Sequence, residues 1–311
     1  MASVEPNNAP LNESLATNRT TDAGAGEAIT LRTLARMSRE HKRFTCLTCY
    51  DATTARWLDR AGVEVLLVGD TAAEVILGHT ATIHAPLDFM VEITAAVKRG
   101  APRRVVMADM PFLSYQCEQG DAIRNAGRFL TQGMADCVTL EVDRSFAALV
   151  EQMARAGIPV VAHVGSRPQQ AKMKGGYFSA GRTAEDAVRI VADASAMEAA
   201  GASMLLVEAC PPEVTQFIVE RATIPVIGCG AGASCHGQVV VLQDILGLSD
   251  WQPAFAQPLA AVGQAIQAGA TAFAELVRAG KLPGKTYRME QAEQEKLRSM
   301  LRSGSDSHAT H

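Results

Sequence analysis

Asp51, Asp70, Asp109, Glu141 and Glu208 share a context in the sequence: each stands at or just beyond the end of a short, nearly uninterrupted apolar run. Leu66-Leu67-Val68-Gly69-Asp70 is the plainest case. If the fold brings these run ends together, the carboxylates repel, and the cluster must either meet a cation or hold protons. A hard divalent ion with oxygen ligands answers that need, and Mg²⁺ is satisfied by one or two carboxylates together with waters and substrate oxygens. Taken singly, an acid after a strand is more often an N-cap for the next helix. For Asp51, followed by Ala52-Thr53-Thr54 and a helical pattern, capping is the better reading. His163, within Val161-Ala162-His163-Val164-Gly165, reads equally as a substrate ligand at a strand end or as a hydrogen-bonded core histidine. His79, His84 and His236 lack zinc-site spacing. The run Ile227-Gly228-Cys229-Gly230-Ala231-Gly232 either lets backbone approach a ligand or meets a packing need, and the residues alone do not choose.

The elements that would position these acids repeat one rhythm: apolar run, loop, helical stretch. The runs are Phe44 to Tyr50, Val63 to Gly69, Arg104 to Met110, Cys137 to Val142, Pro159 to Gly165, Ser203 to Cys210 and Ile224 to Gly230, with a weaker one at Gln238 to Leu242. Most are too continuous for strands with one wet face and fit parallel strands covered on both sides. Asp143 to Arg155 and Ala184 to Ala200 carry helical periodicity. In Arg60-Ala61-Gly62, Arg155-Ala156-Gly157 and Ala199-Ala200-Gly201 a glycine falls just past a helix and before the next strand, as a C-cap requires. About eight βα units over some 250 residues predict a (β/α)₈ TIM barrel, in which all strand C-termini converge on one face. A doubly wound open sheet is the alternative, but its glycine-rich phosphate turn is missing after the first strand, where Cys49-Tyr50-Asp51-Ala52-Thr53 stands instead.

The 311 residues carry a formal charge of −4 with no basic stripe, which argues against a nucleic-acid partner. No apolar run is long enough to span a bilayer. The 7 cysteines are an odd number and sit mostly in apolar runs, which points to reduced thiols and a cytoplasmic place. Cys46 and Cys49 have redox-motif spacing, but residues of a strand alternate in direction, which disfavours that use. Residues 1–27, rich in Asn, Ala, Thr and Gly, are expected to form a flexible leader without the pattern of a secretory signal. The barrel domain is expected over 28–286, and 287–311 is expected to be a helical tail that frays.

An ordered set of short motifs then carries a resemblance. Thr48-Cys49-Tyr50-Asp51, Val68-Gly69-Asp70-Thr71, Gly78-His79, Ala108-Asp109-Met110-Pro111-Phe112, Leu140-Glu141, His163-Val164-Gly165, Pro168-Gln169, Gly175-Gly176-Tyr177, Leu206-Val207-Glu208, Ile224-Pro225-Val226-Ile227-Gly228 and Gly237-Gln238 resemble the motifs of the ketopantoate hydroxymethyltransferase family. The likeness runs from about Thr30 to Gly284. It implies a barrel of the phosphoenolpyruvate/pyruvate superfamily, assembled as a homo-oligomer, usually a decamer. It also implies transfer of a hydroxymethyl group from 5,10-methylenetetrahydrofolate to 3-methyl-2-oxobutanoate, giving 2-dehydropantoate for pantothenate. Carried over by position, Asp70 and Asp109 would hold Mg²⁺ with Glu141 behind them, Glu208 would be the general base, and Thr71, Thr139 and His163 would meet the substrate. With the resemblance counted, binding outweighs capping for Asp70, Asp109 and Glu141.

The chain also departs from the family pattern. Thr71 stands for a serine, Thr139 and Phe178 for lysines, Val142-Asp143 for a glycine pair, His236 for an aspartate, and Ala85-Pro86-Leu87 for Pro-Val-Thr. The lysine replaced by Thr139 would contact the oxo acid, a charge-assisted contact worth about 1.5–3 kcal/mol. Two further readings follow: a diverged paralogue running metal-enolate aldol or lyase chemistry on another 2-oxo acid, and a catalytically silent subunit.

Overall fold

The computed structural model describes residues 27–281 and 284–305, with side chains to Arg302. The expected leader lies outside the described residues except for Glu27, as does the end of the tail from 306 onward. The chain divides into two compact units, one ending at Ala260 and one beginning at Ala261.

The first unit is a closed barrel of eight parallel strands in sequential order: β1 (Phe44–Thr48), β2 (Val65–Val68), β3 (Val105–Asp109), β4 (Cys137–Glu141), β5 (Val160–Gly165), β6 (Met204–Glu208), β7 (Val226–Cys229) and β8 (Gly237–Val240). Every expected strand is present, most trimmed by a residue or more at one or both ends, while β8 begins one residue before the expected Gln238 and ends at Val240. The ring closes where β1 pairs with β8, Phe44 opposite Gly237. The Phe44 ring lies over Gly237, where a Cβ would collide with it. The open-sheet alternative is therefore excluded. Helices Ala147–Arg155 and Ala184–Ala199 take the places expected of them. Gly62, Gly157 and Gly201 follow their helices at φ of +84°, +79° and +94°, a conformation that glycine adopts without a Cβ penalty.

Side chains along a strand alternate between the lumen and the helical jacket. One buried cluster, including Phe44, Cys46, Val65, Leu67, Val105, Met107, Cys137, Val161, Met204, Leu206, Ile227 and Val239, fills the lumen. Leu34, fully buried on the helix Leu31–Arg39, joins it and closes the N-terminal end of the barrel. That helix begins with a capping box in which Thr33 N donates to Thr30 Oγ1 (3.1 Å). A second, larger cluster packs the outer faces of the strands against the helices.

The second unit contains the helices Val262–Arg278 and Gln291–Ser305. Among the described residues, no helix is long and apolar enough to cross a membrane.

Candidate active site

The period of two that fills the lumen also builds the site. One step beyond the lumen residues Met107, Val161 and Leu206 come Asp109, His163 and Glu208, and beyond Cys137 come Thr139 and then Glu141. The apolar stripe therefore turns polar where the strands end. Register aligns these positions: Asp109 pairs with Thr139, Glu141 with His163, and Glu208 with both Gly165 and Cys229. Asp70 and Thr71 follow β2 at the same level. Asp70, Thr71, Asp109, Thr139, Glu141, His163 and Glu208 all line a single cavity of about 940 Å³ at the C-terminal face.

Asp51 is not among its lining residues. It caps the helix Ala52–Arg60, its Oδ1 accepting from Thr53 N (2.7 Å) and Thr54 N (2.8 Å). Partial burial opposes its ionisation, but the hydrogen bonds from Thr54 and Thr53 outweigh this and lower its pKa. The glycine run also resolves, in favour of packing. A Cβ on Gly228 would meet the Cys235 sulfur at 2.7 Å, one on Gly230 the Phe255 ring at 2.5 Å, and one on Gly232 the Pro212 Cβ at 2.8 Å. All the described cysteines are free, and burial pushes the Cys49 thiol up to about 12, which leaves it inert.

Gln169 organises the acids and carries no charge of its own. Its Nε2 donates to Asp70 Oδ2 (2.9 Å) and to the Met110 carbonyl (3.1 Å), while its Oε1 accepts from Tyr115 OH (2.9 Å) and Gln116 Nε2 (2.9 Å). Its backbone N–H is shared between both carboxylate oxygens of Glu141, at 3.1 Å each. Glu141 N donates in turn to Tyr115 OH (3.0 Å). Asp70 N donates to Asp109 Oδ2 (3.0 Å), which fixes the two aspartates against each other. Tyr50 OH and Thr71 Oγ1 share a hydrogen bond of 2.6 Å. The residue types alone gave no role to Gln169, Tyr115 or Tyr50. Gln169 and Tyr50 fall within motifs of the resemblance, which was the available signal.

The electrostatics follow from burial without counter-charge. Asp70, Glu74, Asp109, Glu141, Glu208, Asp244 and Asp250 line the cavity, and its described lining includes no lysine or arginine. Burial first, opposed by the Gln169 hydrogen bond and reinforced by the charge of Glu74, raises Asp70 to about 6. Burial and the Asp70 charge push Asp109 and Glu141 well above the usual carboxylate range. Glu208 rises to about 8 for the same two reasons. His163 Nε2 lies 3.4 Å from Glu208 Oε2 but makes no hydrogen bond to it. Burial, then the charge of Arg167, lowers the His163 pKa to about 3, so the imidazole is neutral at physiological pH.

The donor set suits a hard cation. Asp70 is buried and Asp109 half-buried, tied together by the Asp70 backbone N–H on Asp109 Oδ2, in a pocket whose unmet need is positive charge. Among the described residues, no three His, Cys, Asp or Glu side chains converge closely enough to hold a metal between them. A two-carboxylate Mg²⁺ site completed by substrate and water meets that constraint. Glu141 accepts from the backbone N–H of Gln169, the residue whose side chain donates to Asp70. Directly after Glu208 the chain leaves β6 through Ala209 at φ +46°, a conformation non-glycine residues rarely adopt and one that clusters at functional sites.

Comparison with known proteins adds the family. The model of ketopantoate hydroxymethyltransferase matches residues 28–285. The 3-methyl-2-oxobutanoate hydroxymethyltransferase of Halorhodospira halophila is 43% identical over 267 residues, covering 86% of this chain and 96% of its own length. The enzyme of the same name from Hyperthermus butylicus is 40% identical over 277 residues, covering 88% and 96%. Among solved structures, 2,3-dimethylmalate lyase, a PEP mutase/isocitrate lyase superfamily member, shares the fold at a TM-score of 0.54 and 19% identity, covering 92% of this chain and all (100%) of that one. Phosphonopyruvate hydrolase shares it at 0.57 and 14% identity, covering 90% and 99%. With a closed barrel, acids at the C-terminal ends of its strands and a family match over residues 28–285, the chain belongs to the ketopantoate hydroxymethyltransferase family.

Proposed function

We propose that this chain transfers a hydroxymethyl group from 5,10-methylenetetrahydrofolate to 3-methyl-2-oxobutanoate, forming 2-dehydropantoate for pantothenate synthesis. One observation carries the chemistry: Asp70 and Asp109, joined by a hydrogen bond, share a pocket whose described lining holds no lysine or arginine with a glutamate whose pKa is raised to about 8. Asp70 and Asp109 would hold Mg²⁺, which when bound polarises the ketone as a Lewis acid and makes the neighbouring C–H acidic. A crystal structure of phosphonopyruvate hydrolase is of a complex with oxalate and Mg²⁺, which supports the same ion here. Glu208 takes the C3 proton, as a carboxylate with a pKa near the working pH can. The C–H electron pair passes to form the enolate, whose C3 bonds to the one-carbon unit. Water supplies the new hydroxyl, and tetrahydrofolate leaves. Gln169 holds Asp70 and Glu141 in place, and neutral His163 beside Glu208 adds no charge that would depress its basicity. Ketopantoate formation from the two substrates with Mg²⁺ present is the test, and no product at any Mg²⁺ concentration sinks the proposal.

A second reading rests on the missing cation. With Thr139 buried beside Asp109 and no lysine or arginine in the described lining, a different 2-oxo acid fits the pocket as well. Metal-dependent deuterium exchange at C3, screened over a series of 2-oxo acids, separates the two, since strong preference for another acid favours the second. Assembly with further copies of the chain is also proposed, supported by Ile266, Phe273, Leu276 and Val277, which stand exposed on the helix Val262–Arg278. Sedimentation showing a monomer removes that expectation.

A further inference from the structure

Gln169 reaches Asp70, Met110, Tyr115, Gln116 and Glu141 from the loop that leaves β5, so the geometry of the acids depends on where that loop stands. Two anchors hold its start. Ser166 N donates to the Glu208 carbonyl (2.9 Å), and Gly165, at φ +93°, packs so closely on the end of β6 that a Cβ would meet the Cys210 sulfur at 2.6 Å and the Glu208 carbonyl oxygen at 2.7 Å. Both anchors precede Arg167. From there the chain enters Pro168–Gln170, a single 3₁₀ turn whose proline has no N–H to give and whose start carries no side-chain cap. The backbone alone leaves this turn weakly tied to the sheet.

An ion pair ties it down from outside. Arg167 Nη1 donates to Asp143 Oδ2 (2.7 Å), with the arginine side chain 17% exposed and the aspartate 30%. Asp143 stands two residues after Glu141, and Arg167 two residues before Gln169. The ion pair therefore bridges, a second time, the two segments already joined by the Gln169 N–H to the Glu141 carboxylate. Glu141, Ser166, Pro168 and Gln169 line the cavity while Asp143 and Arg167 do not, so one bridge lies in the pocket wall and the other behind it. Asp143 is itself well founded. Its Oδ1 accepts from Ser145 N (3.0 Å) and from the Ser145 hydroxyl, capping the turn Arg144–Phe146. The next residue, Arg144, is fastened to the helix Ala184–Ala199 through Asp193 Oδ1 (2.7 Å) and the Arg189 carbonyl (3.2 Å). Partial burial opposes ionisation of Asp143, but the hydrogen bonds from Ser145 and Arg167 outweigh it and hold the carboxyl below its usual range. Asp143 also falls where the chain departs from the family pattern, and a glycine there could offer the arginine no partner. A partly buried, charge-assisted contact on a fixed acceptor constrains what it joins, as a pair in open solvent does not.

We propose that Asp143 and Arg167 are a positioning pair: clamped behind the pocket wall, they hold the loop after β5 in the place from which Gln169 sets Asp70 and Glu141. The kinetic arm of the test rests on the function proposed above, and the amide-exchange arm does not. The full chain is compared with Asp143→Ser, which can still cap the following turn but is too short to reach Arg167, with Arg167→Met, with both together, and with Arg167→Lys. Amide hydrogen exchange read by mass spectrometry reports on the segment 166–170 directly. Exchange there is expected to quicken about tenfold in each of Asp143→Ser and Arg167→Met, while β1 and β3 keep wild-type protection. The double variant should match the single ones rather than sum them, because one contact is lost in all three. Arg167→Lys should stay near wild type, since a single nitrogen makes the bond. In turnover with Mg²⁺, each of the two disabling variants should lose about tenfold in kcat with the KM for 3-methyl-2-oxobutanoate within about twofold, and Arg167→Lys should recover the loss. Unchanged amide exchange at 166–170 overturns the proposal. So does exchange that quickens in every strand together with a lower Tm, which is the mark of a pair that serves stability alone. Faster exchange at 166–170 with an unchanged kcat overturns it as well, because the loop would then not govern the site. If the wild type forms no product, the function proposed above falls, and the pair stands or falls on the local amide exchange and its rescue by lysine.

Discussion

Replacing Glu208 by glutamine keeps the size of the side chain and removes the proposed base. We expect kcat to fall by roughly 10²–10⁴, the range general-base catalysis supplies, with C3 exchange lost and oxo-acid binding within a fewfold of wild type. Retained exchange would reassign the base. Thr139→Lys makes the opposite change. It sets a cation beside Asp109, across the β3–β4 pair, in a pocket whose described lining contains none. A charge-assisted contact with the oxo-acid carboxylate should lower its KM roughly ten- to a hundredfold if the substrate is the one proposed. An unchanged or raised KM in a folded variant favours a different acid. Gln169→Leu strips one hydrogen-bond donor from Asp70 and the acceptor of the Tyr115 hydroxyl inside a buried network. Such a loss costs about 1–3 kcal/mol, read as a drop in Tm, and kcat should fall with it.

At the scale of elements, the Gly230–Phe255 contact makes a separable prediction. Gly230→Ala adds a Cβ 2.5 Å from the Phe255 ring at a φ of +59°, so the ring must move and the backbone is strained. We expect a loss of about 1–3 kcal/mol in chemical denaturation. Unchanged stability would show that the ring shifts freely. Much of this architecture was readable from the chain. Runs such as Val65–Val68 and Val105–Asp109 are buried on both faces, and that requirement leaves an unbroken apolar signature. The acids were legible because they break that signature, and Asp51 because capping has its own local grammar. By residue type alone, Gln169 and Tyr115 were not. An amide and a phenol act here through partners 99 and 26 residues away, and no local pattern marks such contacts. Trp251 and Phe255 of the cavity lining were hidden for a similar reason, since they lie in the loop after the short helix Leu242–Ile245, beyond any periodicity.

The whole molecule stores the repulsion of its site. Glu208 sits at about 8 against an ordinary 4.5, and Asp70 at about 6 against 3.8, so in the absence of divalent ions the folded state binds protons more tightly than the unfolded chain. Stability from these groups is complete below about pH 4 and is lost as the pH rises through 6 and toward 8. Calorimetry in EDTA should show Tm declining across that window, and Mg²⁺ should raise Tm more at pH 8 than at pH 5. A Tm that climbs from pH 5 to 8 in EDTA would contradict the burial of these acids. The closing seam has a consequence in time as well as in space. Phe44 and Gly237 meet only after nearly two hundred intervening residues exist, and at ribosomal speeds of about 5–20 residues per second that takes on the order of ten to forty seconds. Through that interval β1 presents an unpaired edge beside an apolar lumen, in the form that templates aggregation. The nascent chain is therefore expected to depend on chaperones, and soluble yield that is unchanged when they are depleted would count against this.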